Sequence, residues 1–307
     1  MNAAKDNAIL VPTWYSGTHG YMVEHYTGPG RALDPERWFI VVVNQIGGGL
    51  SSSPHNTPGP YGRARFPRIR IDDDVVAQER LLREKFEIEQ LELVFGGSMG
   101  AQQAYEWAVR FPEKVKRVAA LAGTAHPYAH CQIFAENLRE TLASDPGFRD
   151  GWYTAADDVH AGLRRHALLF ALYAFSNEFY DRELWRNLSF SSLRGFQVGF
   201  LEGYFQPMDA SVLRGQAWKW MRGDVSRHTG GDLAEALARF TARTFVMPVS
   251  TDQLFTVDDC AAEQRLIKNS ELRVIDDVHG HASLFALVSS YGEQIDRHLG
   301  ELLTDRA

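Results

Sequence analysis

A serine flanked by glycines stands where a strand-like segment meets a helix-like segment. Residues 91–95 are strand-like, Gly96-Gly97-Ser98-Met99-Gly100 follows, and residues 98–111 have helical periodicity. Gly-x-Ser-x-Gly alone is often only a glycine turn, but between a strand and a helix it is the pattern of a nucleophile elbow. Such a turn exposes the hydroxyl, and free amides at the helix start can stabilise an oxyanion. We therefore predict Ser98 as a nucleophile and the amide of Met99 as an oxyanion donor.

A serine nucleophile of this kind requires an acid and a histidine that follow it in the chain in that order. Asp252 comes just after the strand-like segment 244–250, at the strand end where catalytic groups gather in open α/β sheets. His281 lies in the loop before the last helical segment. His281 would take the proton from Ser98, and Asp252 would orient the imidazole. The alternatives for these two roles are the nearby residues His279, Asp258 and Asp259.

Strand-like and helix-like segments alternate on both sides of a long central region. The strands are predicted at 8–11, 38–45, 91–95, 116–123, 242–251 and 271–276, and the helices at 72–86, 98–111, 258–267 and from about 282 to 303. Continuous β-branched runs such as 38–45 are typical of strands that are buried on both faces. The alternation predicts an α/β fold with a mostly parallel sheet flanked by helices.

The central region has helical periodicity and no convincing strand. We predict an α/β core of residues 1–123 and 241–307, with a helical lid of residues 124–240 inserted between strands. The aromatic residues of the lid could line an acyl tunnel or a dimer surface, although packing of the lid explains most of them. They include Trp152, Tyr153, Phe170, Tyr173, Phe175, Phe179, Tyr180, Phe196, Phe200, Tyr204, Phe205, Trp218 and Trp220. Among these, Tyr173 is a candidate substrate contact.

Composition restricts the class of protein and its partners. The 307 residues carry a formal net charge of −7, which argues against nucleic acid or an anionic membrane as a partner. No apolar run approaches the roughly 20 residues that span a bilayer, and no signal peptide is visible. Cys131 and Cys260 are too few for a disulfide framework and favour a reducing compartment. We therefore expect a cytoplasmic protein.

A metal site is not predicted. His126 and His130, followed by Cys131, have a spacing that zinc ligands on a helix can use. Pro127 lies between the two histidines, however, and the glutamate of a zinc-peptidase helix is absent. These residues are interpreted as ordinary lid residues.

Several segments resemble the homoserine O-acetyltransferase family within the α/β-hydrolase superfamily. They are "YTGPGRALDPERWFIVVVNQIGGGLSSSP" (26–54), "RFPRIRIDDDVVAQERLL" (65–82), "GGSMGAQQAYEWAVRFPEKV" (96–115), "STDQLF" (250–255) and "GHASLF" (280–285). The segments fall in the family's order and cover nearly all of the α/β part. The resemblance implies an α/β-hydrolase fold with a helical lid, a Ser98–His281–Asp252 triad, and a second oxyanion amide near Tyr15 in "PTWYSG". It also implies a homodimer through the lid. The family has strands before the point at which this sequence begins, so we expect either that first strands are missing here or that the start is misplaced.

The sequence departs from that family where the family binds homoserine. Ala282 follows the histidine at the position where the family has an aspartate for the amino group. Ala167 stands where the family's lid has an arginine for the substrate carboxylate, and Arg164 or Arg165 could take its place. Without its charged partners, a buried site should reject homoserine, because an unpaired buried charge costs several kcal/mol.

The predicted activity is acyl transfer through an acyl-Ser98 intermediate. The altered substrate residues favour a hydrolase of a small or medium ester or other acyl substrate, with no metal or redox cofactor and a small molecule as its partner. The alternative is an O-acetyltransferase that takes acetyl-CoA or another acyl-CoA as co-substrate. A non-catalytic binding module is a third hypothesis, which an ordered triad disfavours.

Overall fold

A sheet of six parallel strands lies at the centre of residues 5–304, the part of the chain that the computed structural model describes. The strands are β1 (Ala8–Pro12), β2 (Phe39–Val43), β3 (Leu93–Gly97), β4 (Arg117–Leu121), β5 (Arg243–Met247) and β6 (Ser270–Leu272). Their order in the sheet is β2-β1-β3-β4-β5-β6. The predicted α/β fold class is confirmed.

The strands β1, β3 and β4 are buried along their whole length because helices cover both faces of the sheet. Leu93 and Phe95 of β3 pack into one apolar cluster, whereas Val94 packs into the other, on the opposite face. This separation follows from the two-residue period of a strand. It explains why these segments are continuous apolar runs rather than alternating ones.

Twelve α-helices surround the sheet within the described residues. Those of the α/β core are α1 (His19–Tyr26), α2 (Ile71–Phe86), α3 (Met99–Arg110), α11 (Val257–Gln264) and α12 (Ser289–Thr304). Those between β4 and β5 are α4 (Ala129–Ala143), α5 (His160–Ala174), α6 (Asn177–Asp181), α7 (Leu193–Phe196), α8 (Gly203–Phe205), α9 (Ala210–Trp220) and α10 (Leu233–Leu237). A π-helical turn at Gln197–Glu202 joins α7 to α8. None of these helices is long and apolar enough to cross a membrane.

Two elements differ from the sequence prediction. The helix predicted from about 282 is interrupted: a 3₁₀ turn spans Gly280–Phe285, Ala286 has a left-handed φ of 48°, and α12 begins only at Ser289. The interruption lets the turn present His281 at the sheet edge before the chain crosses to α12. The other difference is α1, which the sequence reading missed because it is a short helix with two buried side chains, Met22 and Tyr26.

A buried ion pair joins the helices between β4 and β5 to the α/β core. The ammonium of Lys219 on α9 lies 2.5 Å from a carboxylate oxygen of Asp74 on α2, and both side chains are almost wholly inaccessible to solvent. The Lys219 ammonium also donates to the carbonyl of Ile46 at 2.8 Å, while the Ile46 amide donates to Asp74 at 2.8 Å. Burial raises the pKa of Asp74 and lowers that of Lys219, and the attraction between the two charges opposes both shifts.

Lys219→Met is expected to lower the free energy of unfolding by about 3–5 kcal/mol, because the Asp74 carboxylate would remain buried without its cation. Adding Asp74→Asn should recover part of this loss, since the amide oxygen can still accept from Ile46. Urea unfolding followed by circular dichroism measures both. Lys268→Met, at an exposed lysine, is the control and should change stability by less than about 0.5 kcal/mol. A loss below about 1 kcal/mol for Lys219→Met would contradict the structural role of the pair.

Candidate active site

The site lies where the strand order of the sheet reverses. The chain runs from β1 to β2 in one direction, then crosses back to β3 and continues through β4, β5 and β6 in the other. The carboxyl ends of β1 and β3 are therefore neighbours at the point where open α/β sheets form a crevice. The segment Thr13–Gly17 follows β1 at this crevice, and Ser98 follows β3.

The backbone of Ser98 adopts a strained conformation in the turn between β3 and α3. Its φ is 52° and its ψ is −120°, a region that residues other than glycine rarely occupy. Close backbone approach makes the two flanking glycines necessary: a Cβ on Gly96 would lie 2.1 Å from the carbonyl oxygen of Gly100, and a Cβ on Gly100 would lie 2.7 Å from that of Pro12. The Ser98 amide donates to the Leu121 carbonyl at 2.9 Å, which fixes the turn against β4.

Ser98, His281 and Asp252 form a continuous chain of hydrogen-bond contacts. Nε2 of His281 is 3.0 Å from Oγ of Ser98, and Nδ1 of His281 is 2.7 Å from Oδ2 of Asp252. The other carboxylate oxygen of Asp252 accepts from the amides of Leu254 at 2.7 Å and Phe255 at 3.2 Å. The Asp252 side chain accepts from Nδ1 and orients the imidazole, which leaves Nε2 free to accept from the Ser98 hydroxyl.

The alternative base, His279, is engaged in a separate buried network. Its Nδ1 donates to Oδ1 of Asp277 at 2.6 Å, and the Ser283 hydroxyl donates to the same oxygen at 2.9 Å. Burial alone would raise the pKa of Asp277, but these hydrogen bonds outweigh it and the pKa lies below its ordinary value. Asp277 and His279 precede His281 in the chain and Ser283 follows it. Their hydrogen bonds therefore stabilise the turn that carries His281. Sequence reasoning gave no signal for this second His–Asp pair.

The alternative acids lie away from this arrangement. Asp258 is exposed on α11. Asp259 accepts a hydrogen bond from the Thr256 hydroxyl at 2.8 Å, at the start of the same helix. Of these three, Asp252 contacts His281, because it lies beyond the end of β5, just after the isolated bridge between Val249 and Ile275.

The backbone amides of two residues, one directly after Ser98 and one in the loop after β1, have no acceptor among the described residues. They belong to Met99, the first residue of α3, and to Tyr15 in the loop after β1. The side chain of Tyr15 holds that loop in place, because its hydroxyl donates to the Leu213 carbonyl of α9 at 3.0 Å. The neighbouring Ser16 hydroxyl lies 3.0 Å from the Tyr204 hydroxyl of α8. Helices α8 and α9 thus position the loop that contains Tyr15 and Ser16.

A narrow, largely apolar cavity of about 20 Å³ lies above Ser98. The residues that line it are Trp14, Tyr15, Ser16, Ser98, Phe170, Trp220, His281, Ala282, Leu284 and Phe285. Aromatic rings pack together in its wall, with the ring centroids of Tyr15 and Trp220 5.9 Å apart and those of Tyr15 and Phe170 6.4 Å apart. Apart from His281, no lining side chain is ionisable near neutral pH. Two of these residues, Phe170 and Trp220, are among the lid aromatics for which the sequence left a tunnel and packing both open.

Three residues suggested as substrate contacts lie outside the lining of this cavity. Arg164 pairs with Glu202 on the outer side of α5, at 3.0 Å. Arg165 is exposed and donates to the Thr141 carbonyl at 3.3 Å. Tyr173 packs its ring on Phe134, with centroids 4.7 Å apart. The cavity side of α5 is the face of Phe170, and the helical period turns Arg164 and Arg165 away from it. Tyr173, one turn after Phe170, packs on Phe134 instead of lining the cavity. The substrate roles of Arg164, Arg165 and Tyr173 stay predictions.

His126 and His130, whose spacing zinc ligands on a helix can use, contact other side chains. Nδ1 of His126 lies 3.2 Å from a carboxylate oxygen of Asp224, and the His130 ring packs on Tyr173. Within residues 5–304, no group of three or more His, Cys, Asp or Glu residues is arranged to hold a metal ion.

The sequence and the fold of this chain are similar to those of ester hydrolases and of their relatives. Ethyl acetate hydrolase of Pseudomonas veronii is 54% identical over 307 residues, which cover 100% of this chain and 88% of that protein. The crystal structure of an acetylester hydrolase from Corynebacterium glutamicum superposes with a TM-score of 0.97 at 53% identity, covering 99% of this chain and 87% of that one.

The homoserine acyltransferases are more distant. Homoserine O-acetyltransferase of Leifsonia xyli is 33% identical over 290 residues, which cover 84% of this chain and 71% of that protein. The resemblance to this family is therefore confirmed, at lower identity than that to the esterases. A family model described as the alpha/beta hydrolase fold matches residues 9–285. Together with these relatives, that match shows that the chain belongs to the α/β-hydrolase family.

Proposed function

We propose that this chain hydrolyses small acetate esters through an acetyl-Ser98 intermediate. The observation that carries the proposal is the Ser98–His281–Asp252 hydrogen-bond chain at the floor of a narrow, uncharged cavity. The names of the two close relatives, an ethyl acetate hydrolase and an acetylester hydrolase, support acetate as the acyl group.

The first half of the reaction forms the acyl-enzyme. Oγ of Ser98 attacks the ester carbonyl carbon while Nε2 of His281 accepts the hydroxyl proton. The negative charge of Asp252 stabilises the resulting imidazolium, which the short contact to Nδ1 makes possible. The amides of Met99 and Tyr15 donate to the developing oxyanion, and each such donor contributes a factor of about 10²–10³ to the rate. The C–O bond then breaks, and His281 gives its proton to the departing alcohol.

The second half repeats the same proton transfers with water. His281 takes a proton from a water molecule, which attacks the acetyl carbonyl, and the oxyanion forms against the same two amides. Collapse of this intermediate releases acetate and returns the proton to Ser98. Hydrolysis through an acyl-serine needs a base, oxyanion donors and water, so we propose that neither a metal nor a cofactor takes part.

The size of the cavity limits the acyl chain. Trp220 and Phe170, both buried, stand on the lid side of the space above Ser98. A longer acyl chain would have to displace these rings from a close-packed wall, and overpacking of this kind costs about 1–3 kcal/mol. An acetyl group avoids that penalty.

The cavity also disfavours homoserine as an acceptor. Ala282, 1% exposed, occupies the place where the homoserine family has its amino-binding aspartate, and the buried Ala167 occupies the place of its arginine. The ammonium and carboxylate of homoserine would lose water without gaining a counter-charge. We therefore propose water, rather than an amino-acid alcohol, as the acyl acceptor, with acetyl-CoA not required as a co-substrate.

The charge of the chain and its two thiols indicate the partners and the cellular compartment of the enzyme. A net charge of −7 supports a small molecule as partner rather than nucleic acid or an anionic membrane. Cys131 and Cys260 are both buried and free, which supports a reducing, cytoplasmic compartment. The homodimer through the lid stays a prediction.

Ser98→Ala is expected to reduce kcat/KM for p-nitrophenyl acetate and ethyl acetate by about 10⁴-fold or more, because the nucleophile is removed. Ser290→Ala, at an exposed serine, is the matched control and should retain the wild-type rate. Turnover of acetyl-CoA with and without homoserine is measured in parallel. Unchanged ester hydrolysis by Ser98→Ala would refute the mechanism, and homoserine-dependent release of CoA would instead establish a transferase.

His281→Asn and His279→Asn form a matched pair. An asparagine amide can replace the Nδ1 donor of either histidine, but it supplies no base at the position of Nε2. We therefore expect His281→Asn to lower kcat by about 10⁴-fold and His279→Asn to lower it by less than about tenfold. Steady-state kinetics with p-nitrophenyl acetate provide the readout. A larger loss in His279→Asn than in His281→Asn would reverse the assignment of the base.

Trp220→Ala is expected to widen the acyl cavity. The ratio of kcat/KM for p-nitrophenyl butyrate to that for p-nitrophenyl acetate should rise about tenfold, since each methylene that a pocket accepts or rejects changes discrimination by roughly that factor or more. Both values are measured on the same preparation, so a smaller folded fraction of Trp220→Ala would lower them equally and leave the ratio unchanged. Trp218→Ala, two residues away and outside the cavity, should leave the ratio unchanged. An unaltered ratio in Trp220→Ala would show that another element limits the acyl chain.

A further inference from the structure

A second cavity, of about 190 Å³, lies on the other side of α9. It is enclosed by α9, α4 and the loop that joins β2 to α2, and it shares no lining residue with the cavity above Ser98. Five of its lining residues are basic and one, Asp150, is acidic. The basic residues are Arg63, Arg68, Arg139, Arg214 and Lys219. This excess of positive charge contrasts with the formal net charge of −7 for the whole chain.

Two of these arginines have buried donor atoms without partners. The Nε atoms of Arg139 and Arg214 are buried and have no hydrogen-bond acceptor among the described residues. Arg139 uses another guanidinium nitrogen to contact Glu136. Arg214 forms no ion pair or hydrogen bond within residues 5–304. Burial, followed by the neighbouring charge of Arg139, lowers the pKa of Arg214. Each of these Nε atoms has lost water without gaining an acceptor, which is unfavourable, and an anion would supply the acceptor and reduce the repulsion between the two guanidinium groups.

Aromatic rings hold the guanidinium groups in place. The Arg214 guanidinium lies 5.4 Å from the centre of the Phe148 ring. Arg68 lies 5.6 Å from the Trp218 ring, and Arg222, on the same ring, lies 4.4 Å away. Such cation–π contacts fix the planar groups before a ligand arrives, so less conformational entropy is lost on binding.

We propose that this arginine cavity binds a phosphate-bearing small molecule through a phosphate or pyrophosphate group. Guanidinium groups match phosphate oxygens with paired, charge-assisted hydrogen bonds, which favours phosphate over a single carboxylate when several arginines converge. The volume of the cavity accommodates a pyrophosphate. Lys219 contributes positive charge, although its ammonium is already paired with Asp74. This binding site is independent of ester hydrolysis, because none of its residues contacts Ser98 or His281.

Isothermal titration calorimetry of the full chain tests the proposal with four separate probes: inorganic phosphate, pyrophosphate, ADP and coenzyme A. We expect saturable one-to-one binding of pyrophosphate that weakens as salt rises. Arg214→Gln and Arg139→Gln should each weaken binding by about 10- to 100-fold. Arg182→Gln, at an exposed arginine paired with Glu178, is the control and should bind as the wild type does. Circular dichroism establishes that each variant is folded.

The probes also identify the source of the phosphate group. Equal affinity for pyrophosphate and ADP would mean that the phosphate group alone is recognised, and tighter binding of ADP or coenzyme A would mean that a nucleotide is the ligand. Either result supports the site. Absence of saturable binding for all four probes would overturn it, and so would unchanged binding of pyrophosphate in both Arg214→Gln and Arg139→Gln.

Discussion

The strained backbone of Ser98 is the constraint on which the rest of the site depends. A residue held at φ 52° and ψ −120° stores about 1–3 kcal/mol that other interactions must offset. The amide of Ser98 is fixed to β4, and its carbonyl accepts from the amides of Ala101 and Gln102 in the first turn of α3. Hydrogen bonds to β4 and to the start of α3 therefore fix the Ser98 backbone. This conformation places its hydroxyl within hydrogen-bond distance of His281.

Helix α9 connects three separate features of the molecule through its different faces. Trp220 forms part of the wall above Ser98, Lys219 enters the buried ion pair with Asp74, and Arg214 and Trp218 line the arginine cavity. The 3.6-residue period of a helix permits such a division among residues that are adjacent in sequence. A single element thus sets the acyl space, fixes the helices between β4 and β5 to the core, and carries Arg214, which forms no ion pair within the described residues.

Much of this arrangement could be predicted from the sequence because it depends on local patterns. Continuous apolar runs marked the buried strands, and the glycines around Ser98 marked a turn that sterics make nearly obligatory. Asp252 and His281 could be selected because parallel strands bring their carboxyl ends to one edge. Their roles as catalytic groups remain proposals that the geometry supports.

Other features depend on contacts between residues far apart in the chain. The side on which Arg164, Arg165 and Tyr173 lie depends on the rotation of α5 about its axis, which no local motif determines. In the sequence, the residues of the Asp277–His279–Ser283 network cannot be distinguished from ordinary loop composition. The interruption of the last helix at Ala286 depends on the position that His281 takes. The arginine cavity draws its residues from the loop before α2, from α4 and from α9, so sequence spacing gives no sign of it.

The anchoring of the loop after β1 has a consequence for how new specificities can arise on this scaffold. Tyr15 and Ser16 belong to the α/β core, yet their hydroxyl groups contact Leu213 and Tyr204 of the lid. Grafting the lid of a relative onto this core would therefore displace the loop unless the graft preserves both contacts. Chimeric enzymes that exchange only the lid would therefore change in both substrate range and turnover. If the lid and the loop after β1 were exchanged together, substrate range could change without the loss of turnover.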